Sequence, residues 1–391
     1  MISGAAAAPR DSRVTPPRAE ARIDLRAYRR NIMSLRDRLA PGAQLWAVVK
    51  ANAYGHDSDR LAQEAVGAGA KRLCVATLSE ARALRQNAIR ASIHVMGPLD
   101  EPSVQRAIEL DASVTVLSES MLQGVERAAA AGIWNAARPA RVHLKVDTGM
   151  GRWGVRYDDA LTAVDRLCAL EGVELEGLMT HFATADDPDD GGFFELQLER
   201  FTALAESVRE RVPGVVVHAA NSAATLRTER AHFDAVRCGI ATYGLDPQQQ
   251  EPFRHGLAPV LSLRSHVADL RLLQPGESTG YERSFIATEP TLVAEVPIGY
   301  ADGVARALAN VGTALVHGRE CAIVGNVSMD HCSLRVDDSV RIGDVVTLIG
   351  TDGTAWIGAE HHARWASTIN YEVTCGIAGE PRLLRAHVQD D

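Results

Sequence analysis

From Ala21 onward, short apolar runs rich in β-branched residues alternate with segments whose apolar residues recur at helical spacing. The runs are Leu45–Lys50, Arg72–Thr77, Ile93–Gly97, Ser113–Leu117, Val142–Asp147, Leu175–Thr180, Val215–Ala219 and Phe233–Arg237. Between them lie the amphipathic stretches Asp59–Ala68, Ser79–Gln86, Glu119–Ala130, Tyr157–Leu170 and Phe194–Arg211. Ser79, Ser118 and Asn221 stand where side-chain oxygens cap helix starts. Eight β units with intervening helices predict an α/β fold, a TIM-type (β/α)8 barrel over residues 19–252; an open doubly wound sheet is the alternative. No Gly-x-Gly-x-x-Gly follows the first strand and no Gly-Lys-Ser/Thr loop occurs, which counts against dinucleotide and nucleoside-triphosphate folds.

After about Pro252 the texture changes to strands with Gly/Asp turns and little helix: Leu261–Leu273, Thr291–Pro297, Ala314–His317, Cys321–Val327, His331–Val336 and Val345–Gly350. A second, mostly β domain is expected over 253–391, with Glu20–Leu25 placed to join it as an added strand. Residues 1–18 are rich in Ala, Pro and Arg without periodicity and are expected to form a disordered tail. The acidic stretch Ala185–Gly192 reads as a solvated loop.

Composition narrows the function. The 391 residues carry 41 basic and 50 acidic side chains, a formal charge of -9 that offers no field for nucleic acid or anionic lipid. No apolar run approaches the roughly 18 residues of a membrane helix, and no signal-peptide core precedes the early arginines, so a cytoplasmic protein is expected. Six cysteines without a Cys-x-x-Cys pair suggest neither a zinc knuckle nor a disulfide framework. Among the 41 basic residues only Lys50, Lys71 and Lys145 are lysine. Two of these close strand-like runs, where a lysine can lose its proton and act as nucleophile or base, as arginine effectively cannot.

In a barrel, chemistry collects at the carboxyl ends of strands. Those ends supply Lys50 and Tyr54, then Lys145 with Asp147 and Arg152, His181, Asn221 with Ser222, and Arg237 with Gly239. Nearly all are polar or ionisable and costly to bury unpartnered. The segment Val48-Val49-Lys50-Ala51-Asn52-Ala53-Tyr54-Gly55-His56 resembles the pyridoxal-phosphate lysine motif of the alanine racemase family. His143-Leu144-Lys145-Val146-Asp147-Thr148-Gly149-Met150-Gly151-Arg152-Trp153-Gly154 is similar to that family's next motif. The likeness continues, in order, through Thr180-His181-Phe182-Ala183, Asn221-Ser222, Arg237-Cys238-Gly239-Ile240, Ile298–Gly303, Ser328-Met329-Asp330 and Asn370-Tyr371-Glu372.

The resemblance implies pyridoxal 5'-phosphate as cofactor and racemisation of a small amino acid, most plausibly alanine, to supply D-alanine for peptidoglycan. Racemisation needs proton removal on one face and return on the other, hence two bases. By resemblance Lys50 holds the cofactor covalently and serves one face, while Tyr281 serves the other. Tyrosine ordinarily titrates near 10 and needs cationic neighbours to act as a base near neutrality. The resemblance places Arg237 at the pyridine nitrogen, His181 near the ring, and Tyr54, Ser222, Tyr371 and the amides of Gly239 and Ile240 at the phosphate. Lys145, carbamylated in several family members, would orient Arg152. Tyr281, Tyr300, Met329 and Asp330 would complete the site of the other subunit in a head-to-tail homodimer.

The chain departs from the family pattern at Asp57, at Glu282 and Arg283 after the tyrosine, and at Ser328. Other readings are a racemase for serine or lysine, a non-catalytic carrier of the same cofactor, and a metal-dependent barrel hydrolase. The last is disfavoured because no His-x-His closes the first strand and His143, His181, His218 and His232 give no evident pair of metal sites; no metal is expected.

Overall fold

In the computed structural model, which describes residues 17–135 and 137–388, the eight apolar runs form one closed parallel barrel. The strand order around it is Ala112–Val116, Ser92–Val95, Arg72–Val75, Gln44–Val48, Ala235–Cys238, Val216–His218, Val173–Met179 and Ala140–Asp147. Ala140–Asp147 then pairs back onto Ala112–Val116, with Val114 opposite Val142. This closure rules out the open doubly wound sheet, because each of the eight strands is paired on both sides. Strands covered by helices outside and side chains inside lack polar alternation; Ala112–Val116 is buried at every position.

The barrel interior is not wholly apolar. Trp46 lies among the imidazoles of His94, His143 and His218, with ring centroids 6.1, 5.8 and 4.6 Å away, and the Arg72 guanidinium sits 4.5 Å over the indole. Such a layer is tolerable only because its polar atoms bond one another.

Ser118 and Asn221 cap their helices, accepting from the amides of Met121 and Ala224. Ser79 does not. The cap of Leu78–Gln86 is Thr77, whose hydroxyl accepts from the Glu80 amide at 3.2 Å while the Glu80 carboxylate accepts from the Thr77 amide at 3.0 Å. The acidic loop is also more than solvated surface. The Asp190 carboxylate is buried, accepts from Thr184 Oγ1 and the amides of Gly192 and Phe194, and so opens the helix Phe193–Arg211.

The second sheet runs Asp269–Leu273, Thr291–Val296, Cys332–Val336, Arg319–Val324, Thr313–Val316, Val345–Asp352, Leu261–His266, Ala19–Asp24 and Leu384–Val388. Ala19–Asp24 is antiparallel to Leu261–His266 and parallel to Leu384–Val388. Leu261–Leu273 is two strands rather than one. The chain turns at Val267 and Ala268, and because Val267 is itself buried the apolar texture runs through the turn. Two short helices, Ala359–Ala366 and Asn370–Cys375, were not expected; each covers two turns or fewer, too little for a periodic signal.

Of the segment expected to be a tail, residues 1–16 lie outside the described residues. Arg18 is anchored: its guanidinium donates to both oxygens of buried Asp302, at 2.9 and 2.6 Å, and to the Pro297 carbonyl. Arg382 and the Gly299 amide reach the same carboxylate. The clamp fixes the turn that carries Tyr300. Burial works against the Asp302 charge, but Arg18, the Gly299 amide and Arg382 outweigh it and hold the carboxyl below its usual range. Arg18→Ala is therefore expected to lower stability by about 1–2 kcal/mol near neutrality, discounted because Arg18 is a third exposed. Since the depressed carboxyl contributes above its ordinary value near 3.9 and loses that contribution as pH falls through its folded value, the wild-type advantage should shrink below about pH 4. Calorimetry of both proteins at pH 7 and at acid pH checks this.

Candidate active site

Lys50 follows the strand Gln44–Val48 and opens a turn of unusual hand. Ala51, Asn52, Ala53 and Tyr54 all have φ between 51° and 54°, and Gly55 ends the turn at φ 83°. Left-handed backbone costs a non-glycine residue about 1 kcal/mol or more, so outside bonds must hold it. The Ala51 amide donates to Glu80 Oε1 at 2.7 Å, Asn52 Oδ1 accepts from the Ser58 amide, and His56 Nδ1 sits 2.9 Å from the Tyr54 carbonyl. Gly55 is required for a second reason, because a Cβ there would lie 2.0 Å from the Thr374 carbonyl of the C-terminal helix Asn370–Cys375.

Above the turn lies a cavity of about 510 Å³. It is lined by Lys50, Tyr54, Lys145, Arg152, His181, Ser222, Arg237, Gly239 and Ile240 from the barrel half and by Tyr371, while Asp147 does not line it. Tyr371 comes from the other domain, its ring 6.0 Å from that of Tyr54. Trp153, Met179 and Cys375 line the cavity too and were not singled out as site residues from sequence.

Four cations share this space and no carboxylate lines it among the described residues. Asp147, the candidate counter-charge, instead accepts from the amides of Gly149 and Gly151 and shapes the loop before Arg152. Burial, then the Arg152 charge, lower the Lys50 amine and push Lys145 down to about 8. Burial likewise brings Arg237 down to about 10 and, with Arg237 beside it, holds His181 well below its ordinary value, so the imidazole is neutral at pH 7. An uncompensated positive cavity holding weakened amines suits an anionic ligand that carries an electrophile.

Arg237 does not pair with Asp234, which Arg209 occupies. One terminal nitrogen donates to His218 Nδ1 at 2.7 Å; the other donates to the carbonyls of Thr180 and Ala219, both at 2.9 Å, and lies 3.3 Å from His181 Nδ1. At the far end of the cavity Ser222 Oγ accepts from the amides of Gly239 and Ala241. The Gly239 amide is thus used inside the protein rather than offered to a phosphate, and it frees the Ser222 O–H to donate outward. A Cβ on Gly239 would stand 2.3 Å from the Tyr54 hydroxyl, so only glycine brings backbone and phenol this close.

Four expected residues lie elsewhere. Tyr281, Tyr300 and Met329 are exposed by 71%, 43% and 52% and do not line this cavity. They gather with Asp330 around the segment Asn326–Asp330: Asn326 donates to the Tyr281 carbonyl, Tyr300 to Ser328, and Arg382 bonds Asp330. Sequence also missed His94, which joins His143 and His218 in a trio whose nitrogens lie within 4.8 Å of one another. The trio is a hydrogen-bonded layer rather than a ligand set. His143 Nδ1 bonds His218 Nε2, His94 bonds Ser113 and Thr115, and Arg72 and Arg237 bring positive charge to the remaining positions.

Residues 23–247 match the model of the alanine racemase N-terminal domain, and residues 260–385 that of the alanine racemase C-terminal domain. The chain belongs to the alanine racemase family. The alanine racemase of Symbiobacterium thermophilum is 40% identical over 361 residues, 92% of this chain and 94% of the relative. The solved alanine racemase from E. faecalis superposes with a TM-score of 0.87 at 37% identity, covering 95% of this chain and 98% of that one. A Bartonella henselae alanine racemase, solved with covalently bound pyridoxal phosphate, gives 0.84 at 28% identity, with 95% and 100% covered. As a family member the chain is an amino-acid isomerase on a TIM-type barrel with a mostly β second domain, and no described helix is long and apolar enough to cross a membrane.

Three lysines make the alanine racemase site easy to titrate directly. In protein labelled with ¹⁵N-lysine, the Lys145 amine should titrate near 8. Because Arg152 lowers both Lys50 and Lys145, Arg152→Gln should raise both titrations in the cofactor-free protein.

Proposed function

We propose that this chain binds pyridoxal 5'-phosphate in the barrel cavity and interconverts L- and D-alanine by two bases, Lys50 and Tyr281, the latter contributed by a second copy of the chain. The observation that carries the proposal is the cavity itself: a half-buried lysine whose amine is lowered by burial and by Arg152, among three other cations, with no carboxylate in the lining among the described residues. When bound, the cofactor supplies an aldehyde for the amine and a ring that accepts the electron pair left by the departing α-proton.

The donor set suits that group. Tyr54, the outward Ser222 hydroxyl, Tyr371 and the Ile240 amide would hold the phosphate; Ile240 opens the turn Ile240–Tyr243, where an amide has no intrahelical partner. Arg237, its terminal nitrogens committed, would stand at the pyridine nitrogen with Nε–H as its remaining donor. A guanidinium keeps its own proton, so that nitrogen stays unprotonated and the ring withdraws electrons less, which disfavours protonation at the cofactor carbon and hence transamination. Neutral His181 would stand beside the ring without adding charge. Arg152, next to Lys145, would meet the cofactor's phenolic oxygen, and a carbamate on Lys145 would turn a repulsive pair into an attractive one.

Lys50, with its amine free, would be the base on one face of the α-carbon. The opposite face needs a second base, and Tyr281 is exposed on the second domain, outside this cavity's lining. A head-to-tail homodimer that brings Tyr281, Tyr300, Met329 and Asp330 over the partner's cavity supplies the missing base. Production of D-alanine for peptidoglycan is the role this activity would serve.

The purified protein should absorb in the visible, and borohydride should fix the cofactor on the peptide containing Lys50. Lys50→Ala should remove both signals. In deuterated water, Tyr281→Phe should still exchange the α-proton of one alanine enantiomer while exchange from the other falls by roughly 10²-fold or more. Wild-type protein that carries cofactor yet exchanges neither enantiomer sinks the proposal.

A further inference from the structure

We propose that Glu80 is a positioning residue for Lys50: its carboxylate fastens the left-handed turn Ala51–Tyr54 to the end of the adjacent barrel strand and so aims the Lys50 amine into the cavity. The proposal rests on the reading of Lys50 as the amine that takes the cofactor's aldehyde.

The geometry has two parts. The first amide after Lys50, that of Ala51, donates to Glu80 Oε1 at 2.7 Å, and Oε2 accepts from the amides of Ala76 at 2.7 Å and Thr77 at 3.0 Å. One carboxylate thus joins the exits of two neighbouring parallel strands, Gln44–Val48 and Arg72–Val75, whose last pair is Val48 with Cys74. A helix cap requires only the bond to Thr77. The bonds to Ala51 and Ala76 exceed that need, and the Ala51 bond falls where four left-handed residues begin.

The second part is charge. Lys50 faces Arg152 and Lys145 from the loop and strand of the 140–152 region, Arg237 and neutral His181 from across the barrel, and the Cys375 thiol from the C-terminal helix. Its amine also lies 6.0 Å from the centre of the Tyr54 ring. Against these cations Glu80 acts in the opposite sense, raising the Lys50 amine that burial and Arg152 lower. Glu80 therefore both holds the backbone that carries Lys50 and limits how far the amine is depressed.

The test uses the full chain freed of cofactor, with two readouts: the ¹⁵N titration of Lys50 and the rate at which added pyridoxal phosphate becomes borohydride-fixed on its peptide. Glu80→Gln keeps one carbonyl acceptor and loses the charge, Glu80→Ala loses both, and Thr77→Val removes the other half of the same capping box without touching the carboxylate. The Lys50 titration is expected to move down in Glu80→Gln. Capture should slow by roughly tenfold to a hundredfold in Glu80→Ala, the scale of a misplaced reacting group. Thr77→Val should lower the melting temperature and leave both readouts at wild-type values. Wild-type readouts in both Glu80 variants, or Thr77→Val reproducing their changes, would overturn the proposal and leave Glu80 a helix cap. If Glu80→Ala does not fold, the Glu80→Gln titration decides alone. A wild-type chain that fixes no pyridoxal phosphate on Lys50 refutes the functional reading instead, while the titration still reports on Glu80.

Discussion

A guanidinium at the centre of a barrel needs an acceptor for every donor it buries, and Arg237 meets this need with imidazole and carbonyl groups rather than a carboxylate. Because arginine only donates, His218 Nδ1 must accept, which places the His218 proton on Nε2. That proton points at His143 Nδ1, 2.8 Å away, so His143 in turn carries its proton on Nε2 and donates to Glu176 at 2.7 Å. Glu176 completes the line by a two-pronged bond to Arg72. Burial works against the Glu176 charge, but His143 and Arg72 outweigh it and hold the carboxylate well below its usual range. Glu176 is paired with Arg72, so no carboxylate answers Arg237 directly along this line. Tautomers along the line are dictated from its arginine end.

The consequence at the mouth is electrostatic. With no carboxylate paired to it, Arg237 presents positive charge to the cavity, where Lys50, Lys145 and Arg152 add theirs. Glu80 and Asp147, which do not line the cavity, offset only part of the effect on the two lysines. Burial and like charge push both lysines down, which makes each amine easier to deprotonate and so more nucleophilic than a solvated lysine. The same arrangement disfavours divalent metal at the His94, His143 and His218 trio, since two guanidinium groups already lie against its nitrogens.

The barrel was legible because a parallel strand covered on both faces has no polar alternation to confuse it with a surface segment, and all eight runs emerge as strands. The cavity residues were legible because strand ends collect them and the motif around Lys50 marks the rest. What stayed hidden depends on groups meeting across the fold. Ser79 looked like a cap because it opens the amphipathic pattern; the sign of the true one was Thr77-Leu78-Ser79-Glu80, a Thr followed three residues later by Glu. His94 gave no hint of its partners, since only barrel closure brings strands 92–95, 140–147 and 216–218 to one layer. Arg18 looked like part of a featureless tail because its partner, Asp302, is 284 residues away.

The departures beside Tyr281 show how a change in sequence can leave local electrostatics nearly even. Glu282 adopts φ 62° and Arg283 φ 51°, backbone that glycine enters more readily. Each side chain finds its own partner: Glu282 accepts from Asn326 at 3.3 Å and lies 3.5 Å from Arg306, while Arg283 donates to Ser278 and to the Gly276 carbonyl. Asn326 also donates to the Tyr281 carbonyl, so the side chain that receives the new acid also holds the tyrosine's backbone. The added charges are tied down within the hairpin and its neighbouring loop, and the Tyr281 ring is left outward on the surface that a second copy of the chain would meet. Strain at two non-glycine residues is the cost of that arrangement, and the four side-chain bonds around the turn are what offset it.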